Sequence, residues 1–269
     1  MGFGHQSFSS IRMIKEFVKR YRYLGMLLAI AGPVSWAGSA NISFHRLSGP
    51  LYVATDAEYF PTNWVVYVGA KDVVIGGATW TPTMARALAA RIRRVTPLPI
   101  TAVIDISPDP EWSGGNAYWK QVGAKIIAVG ITNELLKNTW QERNQRARTN
   151  HPGYPILPLV MPTEVVADQF SLERGAIRGF YLGPTHTPGD IFVYFPQEQV
   201  LDAGSILKPH LGNLADADLR AYPKTLRKLQ QMHLKIRTVI AGHWSAVHGP
   251  DLIQRYGRML KEHAQDDHE

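Results

Sequence analysis

The stretch Ser107-Pro108-Asp109-Pro110-Glu111 carries three polar side chains at alternate positions. It follows an apolar run, Ala102-Val103-Ile104, and precedes the glycine-rich segment Gly114-Gly115-Asn116-Ala117-Tyr118-Trp119. In an extended segment, residues at alternate positions point to the same side. The two prolines disfavour helix at their own positions and at the residues before them. We therefore expect the three polar side chains to face one pocket together, just after a strand.

The rest of the chain alternates short apolar runs with segments of helical spacing. Turn residues separate the runs, which predicts strands at Leu51–Ala54, Trp64–Val68, Val73–Ile75, Ala102–Ile106, Lys125–Val129, Arg178–Tyr181, Ile191–Phe195, Gln199–Leu201 and Thr238–Ile240. Helices are predicted from Thr81-Pro82 onward and at Asn116–Val122, Thr132–Arg146, Asp216–Met232 and Pro250–Glu262. Strands and helices in two similar halves indicate an α/β (α+β) fold, with two sheets packed together and helices outside.

Composition excludes few functions but limits the chemistry. The chain has 269 residues, 45% hydrophobic and 19% charged, which is ordinary globular composition. The net charge of +7 is partly local, because residues 1–37 hold five basic and one acidic residue and leave 24 − 21 = +3 for the remainder. We therefore expect no nucleic-acid partner. There is no cysteine, so neither a disulfide nor a thiolate metal ligand is available.

Residues 1–37 have the pattern of a secretory signal peptide. A basic stretch is followed by the apolar run Leu24–Ala31, by Gly32-Pro33 and by small residues, so cleavage after Ala37 or Ala40 is expected. The run is shorter than the roughly 20 apolar residues of a membrane span. We therefore predict a periplasmic or secreted protein without a stable membrane span after cleavage, with an uncleaved N-terminal anchor as the alternative. The mature domain is placed at residues 41–265.

Several short segments, most of which contain glycine or proline, carry a resemblance to a known family. They are Gly77–Pro82, Gly114–Trp119, Gly183–Pro188, Ile206–Lys208, Leu211–Leu214, Ala221–Pro223, Ala241–His243 and Val247–Pro250. Through them, the chain from about Ser48 to Tyr256 resembles the mono-zinc carbapenemase subclass of the metallo-β-lactamases. The resemblance implies a four-layer αββα sandwich with the active site along one edge of the two sheets.

The same resemblance shows that the metal-binding motif is altered. The family has Asn or His, then His, then Asp, where this chain has Ser107, Asp109 and Glu111. The family's cysteine ligand corresponds to Ser205. His186 and His243 match the family's remaining ligands.

The candidate metal ligands are therefore Glu111, His186, His243 and Asp109. Two imidazoles with a carboxylate form a known zinc set and a known iron set. Ser205 is expected to lie behind the ligands or to bind weakly. Zinc is the expected ion, with manganese or iron as alternatives because no thiolate selects for zinc. The other interpretation is that the two carboxylates belong to a solvated loop and that no metal binds.

Three residues are candidates for substrate binding. Lys208 matches the family lysine that holds the substrate carboxylate, and Asn213 matches the asparagine near the lactam carbonyl. Trp80, in the turn before the first helix, is the third candidate. Asp109 and Asn213 are the candidate catalytic residues, Asp109 as a general base and Asn213 as a donor to the developing oxyanion.

The expected function is that of a secreted, monomeric hydrolase that opens the amide of a carbapenem-like β-lactam, a small anionic substrate. The substitutions at the metal motif leave two alternatives open. One is a non-catalytic binding protein of the same fold that has lost its metal. The other is a hydrolase of a different lactone or ester.

Overall fold

The computed structural model describes residues 41–266, and the predicted signal peptide with its cleavage site lies outside the described residues. The first sheet has seven strands, hydrogen-bonded in chain order from β1 to β7. The first four pair antiparallel and the last four parallel. The strands are β1 Ser43–Ser48, β2 Leu51–Asp56, β3 Thr62–Val68, β4 Val73–Gly76, β5 Ile100–Ile104, β6 Lys125–Val129 and β7 Glu164–Val166.

The second sheet has six strands in the order β13-β12-β11-β10-β9-β8. Strands β11 and β12 are parallel, and the other neighbours are antiparallel. The strands are β8 Gln169–Leu172, β9 Ile177–Phe180, β10 Phe192–Phe195, β11 Val200–Asp202, β12 Thr238–Ile240 and β13 Val247–His248.

Among the described residues, six α-helices accompany these sheets: α1 Pro82–Ile92, α2 Pro110–Ser113, α3 Asn116–Gln121, α4 Gly130–Asn150, α5 Tyr222–Gln231 and α6 Asp251–Asp266. Helix α1 begins as its sequence predicts. The Thr81 hydroxyl accepts a hydrogen bond of 3.2 Å from the Met84 backbone N–H, and Pro82 occupies the first turn, where its missing N–H costs nothing. Within residues 41–266, no helix is both long and apolar enough to cross a membrane.

The core lies in two layers, one on each side of the second sheet. Along β10, Val193 and Phe195 join the core shared with the first sheet, whereas Phe192 and Tyr194 join the core beneath α5 and α6. This is the period of two that a strand imposes on its side chains. Helices α1, α3 and α4 bury Leu88, Trp119 and Leu136 in the shared core from the other side. The predicted αββα sandwich is confirmed.

Two element predictions differ from the structure for identifiable reasons. The helix expected from Asp216 begins at Tyr222, because Pro223 fits only a first turn and Asp216 forms ion pairs with arginines instead. The segment around Glu111, expected to be extended, contains the short helix α2. Pro110 occupies the first turn of α2, a position that proline favours, so proline marks the start of a helix here rather than its absence.

Candidate functional site

A cavity of about 220 Å³ opens beside the loops that follow the carboxyl ends of β5, β11 and β12. Its polar lining comes from these loops, from the β9–β10 connection and from α4. The lining residues are Phe60, Trp80, Asp109, Pro110, Glu111, Arg143, Arg146, Ala147, Asn150, His151, His186, Lys208, Gly212, Asn213, Asp216, His243 and Trp244. All of the residues predicted to face the pocket, except Ser107 and Ser205, are among them.

Asp109 is engaged by a cation rather than free. It precedes α2 in an extended conformation, and its Oδ1 accepts a hydrogen bond from Arg143 Nη1 of α4. Arg143 Nη1 also donates to Asp216 Oδ2 at 2.9 Å, and Arg146 Nη1 donates to Asp216 Oδ1 at 2.8 Å. Burial raises the pKa of Asp109 and the Arg143 guanidinium opposes that rise. Because the guanidinium stays protonated, we assign Asp109 as an ionised carboxylate paired with it.

Glu111 has a different state from Asp109. It lies in α2, is 8% exposed, and places Oε1 3.7 Å from His243 Nε2. Burial and the Asp109 charge raise its pKa well above the usual range. Protonation weakens a carboxyl as a metal ligand and removes it as a general base, so this shift works against both roles.

Ser107 departs from the expected arrangement. It is 1% exposed and does not line the cavity with Asp109 and Glu111. Its side chain instead hydrogen-bonds to Asp190, whose carboxylate also accepts from Thr185 Oγ1 at 3.0 Å and Thr187 Oγ1 at 2.7 Å. Ser107 and Asp190 thereby fix the loop that carries His186. The expectation that all three alternate side chains share the pocket is wrong, because the chain is not extended there: it bends over residues 107–109 before α2 begins at Pro110.

His186 is held between a cation and a carboxylate. Its Nδ1 lies 3.2 Å from Lys208 Nζ, and its Nε2 lies 3.9 Å from Asp109 Oδ2. Burial and the neighbouring Lys208 lower its pKa well below the usual range, so the imidazole is neutral. The lysine can only donate, and Nδ1 therefore accepts, which leaves the imidazole proton on Nε2 facing Asp109.

His243 and Ser205 form a second group at the base of the cavity. Gly242 packs directly on Gly204, where a Cβ atom would meet the Gly204 carbonyl carbon at 2.4 Å, and this close approach brings the two loops together. Ser205 Oγ then lies 3.2 Å from His243 Nε2 and accepts from Trp112 Nε1 at 2.8 Å.

The remaining His243 nitrogen, Nδ1, lies 3.0 Å from the Pro61 carbonyl oxygen, to which it donates. Burial lowers the pKa of His243 to about 3. The imidazole is therefore neutral, and both of its nitrogens are already hydrogen-bonded within the protein. Ser205 lies behind His243 rather than on the cavity surface.

Lys208 is a buried cation with no anion beside it. It is 2% exposed, and no carboxylate oxygen of residues 41–265 lies within salt-bridge distance of its Nζ. Burial lowers its pKa to about 8, against a smaller opposing effect of Asp190, Glu111 and Asp109. At neutral pH the ammonium group is still predominantly charged, and it borders the cavity.

Asn213 and Trp80 border the cavity on different sides. Asn213 is exposed, and its Oδ1 accepts from the Ala215 backbone N–H at 2.9 Å, so its NH₂ is the end that remains for a ligand. Trp80 donates from Nε1 to Thr62 Oγ1 at 2.9 Å and packs against His151, with ring centroids 5.1 Å apart. Trp80 therefore contributes an aromatic surface to the cavity wall rather than a hydrogen-bond donor.

The arrangement does not fit a metal ion. In residues 41–266, no three His, Asp or Glu side chains converge as a metal site requires. Glu111, His186, His243 and Asp109 reach one cavity but form two separate pairs. Asp109 is held by Arg143, and His243 by Ser205 and Pro61. The expectation that these four side chains converge on one ion is therefore not met, because buried protein donors already satisfy them.

Sequence reasoning missed the contribution of α4. Arg143, Arg146, Ala147 and Asn150 all line the cavity, and their spacing of three, four and seven residues places them on one helix face. Phe60 and Trp244, which line the aromatic side, were missed as well. The helical spacing was a usable signal for α4, whereas nothing in the sequence indicated that this face meets Asp109.

A family model decides the relationship. The model described as metallo-beta-lactamase superfamily matches residues 57–243. The chain belongs to the metallo-β-lactamase superfamily. Its sequence identity to individual members is low, so it is a distant relative of them.

Curated relatives within the superfamily are bacterial β-lactamases by name. Metallo-beta-lactamase IND-1 of Chryseobacterium indologenes is 26% identical over 188 residues, covering 68% of this chain and 72% of that protein. A type 2 metallo-beta-lactamase of Pseudomonas aeruginosa is 40% identical over 132 residues, covering 49% of this chain and 47% of that protein. These relatives are metal-dependent hydrolases, which supports the same general class for this chain.

Solved metallo-β-lactamases share the fold. VMB-1 superimposes with a TM-score of 0.72 at 20% identity, and the match covers 84% of this chain and 100% of VMB-1. FIM-1 from Pseudomonas aeruginosa, described in its mono-zinc form, gives a TM-score of 0.71 at 16% identity, covering 83% and 96%. At these identities the likeness concerns the fold alone.

Proposed function

We propose that this superfamily member binds a small β-lactam-like carboxylate in its cavity. The observation that carries this proposal is Lys208, a buried ammonium group that borders the cavity without a carboxylate partner in residues 41–265. A buried charge is costly unless it is paired, and a ligand carboxylate would provide the pair. The resemblance of the Ile206–Lys208 segment to the family's substrate-binding stretch supports the same assignment.

The other walls suit the body of such a ligand. Phe60, Trp80 and Trp244 supply aromatic surface, and the NH₂ group of Asn213 is available to a carbonyl oxygen. A cavity of about 220 Å³ accommodates a small bicyclic compound in part, with its substituent extending out of the opening. Lys208 and Asn213 would thus orient the carboxylate and the cyclic amide of one ligand.

Hydrolysis of that amide is the second candidate, and it is favoured by the relatives. It requires an activated water, and the predicted site residues Asp109, Glu111 and His186 are poorly suited to serve as its base. Asp109 is paired with Arg143, burial raises the pKa of Glu111, and His186 carries its proton on the nitrogen that faces Asp109. A bound metal would supply the activated water in this family, but the residues present do not fit one. We therefore place ligand binding first and expect turnover to be slow or absent.

The experiment compares binding and turnover in the same protein. Titration calorimetry with a carbapenem should give saturable binding to the wild type, and Lys208→Met should weaken it by about tenfold or more. Lys224→Met, at an exposed lysine, is the matched control and should bind as the wild type does. No binding to the wild type, or equal binding by Lys208→Met, would refute the proposal.

Turnover is followed by the loss of lactam absorbance, with and without added zinc, and with a lactone and an ester as further substrates. Hydrolysis at a rate unchanged by a chelator would favour a metal-free hydrolase. Zinc-stimulated hydrolysis of the carbapenem would replace the binding function by the hydrolase function, with zinc ahead of manganese and iron as its metal.

We also propose that the protein is secreted or periplasmic and acts as a monomer. The signal-like pattern in residues 1–37 and the bacterial relatives support export. Sequencing the N-terminus of the mature protein should place it at Gly38 or Asn41, and light scattering should give the mass of one chain. An N-terminus that retains Leu24–Ala31 would support the anchor alternative instead.

A further inference from the structure

The position of Arg143 adds a feature that the ligand proposal does not use. Its side chain is 6% exposed, and it projects from α4 to a carboxylate 34 residues earlier in the chain. There it bridges Asp109 and Asp216, while Arg146 completes the contacts of Asp216. Two arginines and two aspartates thus form a network in which each carboxylate, the largely buried Asp109 and the more exposed Asp216, is neutralised by protein cations.

The distances between the candidate ligand atoms near this network can be compared with those in a zinc site. Two ligands bound at about 2.0–2.2 Å to a tetrahedral zinc ion lie about 3.4 Å apart. Asp109 Oδ2 and His186 Nε2 are 3.9 Å apart, and Glu111 Oε1 and His243 Nε2 are 3.7 Å apart. Each pair is therefore within a small movement of the separation that zinc requires.

The guanidinium of Arg143 opposes that movement. It binds the other oxygen of Asp109, and it places a permanent positive charge beside the position that a divalent ion would take. Because the site is buried, repulsion between the two cations is screened little by water or salt. The carboxylate is also no longer available as an uncompensated negative charge.

We propose that Arg143 is a resident cation that excludes divalent metal from this cavity. It supplies the positive charge that neutralises Asp109, and it keeps Asp109 and His186 from closing on an ion. The proposal goes beyond ligand binding and does not depend on it, since metal content is measured on the protein alone.

The test is a zinc measurement on the mature chain and its variants. Zinc per chain is determined by mass spectrometry after incubation with zinc and dialysis, and affinity by competition with a chromophoric chelator. The absence of cysteine removes thiolates as a background of zinc binding. Arg143→Met removes the charge and keeps much of the bulk. Arg146→Met is the matched control, because it removes a cation from the same helix face but leaves the Asp109 contact in place.

We expect the wild type and Arg146→Met to retain no zinc and Arg143→Met to bind about one equivalent, with at least about a tenfold lower dissociation constant than the wild type. Adding Asp109→Asn to Arg143→Met should abolish the gain. Near-stoichiometric zinc in the wild type would overturn the proposal. So would a folded Arg143→Met protein, verified by circular dichroism, that binds no more zinc than the wild type.

Arg143→Lys keeps the proposal testable if Arg143→Met does not fold. This variant retains the charge but loses the forked contact, and it should still exclude zinc. Zinc binding by Arg143→Lys would show that charge is not what excludes the metal. In every arm the result is independent of whether a carbapenem binds, so failure of this proposal and failure of the ligand proposal are separate observations.

Discussion

Replacing Lys208 by methionine should stabilise the protein while removing its proposed ligand anchor. Burial lowers the pKa of Lys208 to about 8 from the ordinary 10.5. That difference corresponds to about 3 kcal/mol by which folding disfavours the charged form. Methionine has similar bulk and no charge, so we expect Lys208→Met to raise the free energy of unfolding by about 2–3 kcal/mol at neutral pH.

The stability difference between the wild type and Lys208→Met should also depend on pH in a definite direction. Below pH 8 both the folded and the unfolded lysine are protonated, and the cost is fully present. Between pH 8 and 10.5 the unfolded lysine still binds a proton that the folded one has released, so wild-type stability rises with pH through this group. The advantage of Lys208→Met should therefore shrink by about 2–3 kcal/mol from pH 7 to pH 10.

Urea unfolding of both proteins across this range provides the measurement, and the difference between them isolates Lys208 from tyrosines that titrate in both. Lys224→Met, at an exposed position, should show no such pH-dependent difference. A wild type more stable than Lys208→Met at pH 7, or a difference independent of pH, would mean that Lys208 is already neutralised inside the protein. The reason for assigning it an external anion would then be lost.

Two further predictions concern the surroundings of the site. Arg143→Ala should lower the free energy of unfolding by about 3–5 kcal/mol, because it leaves the largely buried Asp109 without its partner. Arg146→Ala, at a more exposed arginine, should lower it by about 1 kcal/mol or less. Equal losses in urea unfolding would contradict this account. Gly115→Ala should lower the free energy of unfolding by more than about 3 kcal/mol, since the added Cβ would lie 1.9 Å from the Ala78 backbone oxygen. A variant as thermally stable as the wild type would show that this loop can move to accommodate the Cβ.

Local patterns predicted the α/β class and most of the elements, whereas the four-layer sandwich was implied by the family resemblance and four short strands were not predicted. Strand β6 and strand β12 occupy the predicted residues, and the capping of α1 by Thr81 is local as well. The candidate site residues were also found, since a motif position predicts which loop a side chain belongs to. All but Ser107 and Ser205 reach the same cavity.

The chemical state of the site could not be predicted in the same way. Whether Asp109 is a base, a metal ligand or half of an ion pair depends on Arg143, which is 34 residues away and belongs to a different element. Pro110 raised a second difficulty, because proline disfavours helix interiors but favours the first turn. Only the position of α2 shows which effect applies.

Arg143 and Lys208, two buried cations that border the cavity, are expected to have opposite effects on stability. Arg143 has its anion inside the protein, and removing it should destabilise the fold. Lys208 lies beside the neutral His186 and the Tyr256 ring, with no carboxylate of residues 41–265 within salt-bridge distance, and removing it should stabilise the fold. A group that lowers stability and borders a cavity is better explained by what enters the cavity than by what holds the chain together. The opposite signs expected for Arg143→Ala and Lys208→Met are therefore the most direct measure of whether this site, without a preformed metal centre, still binds an anion.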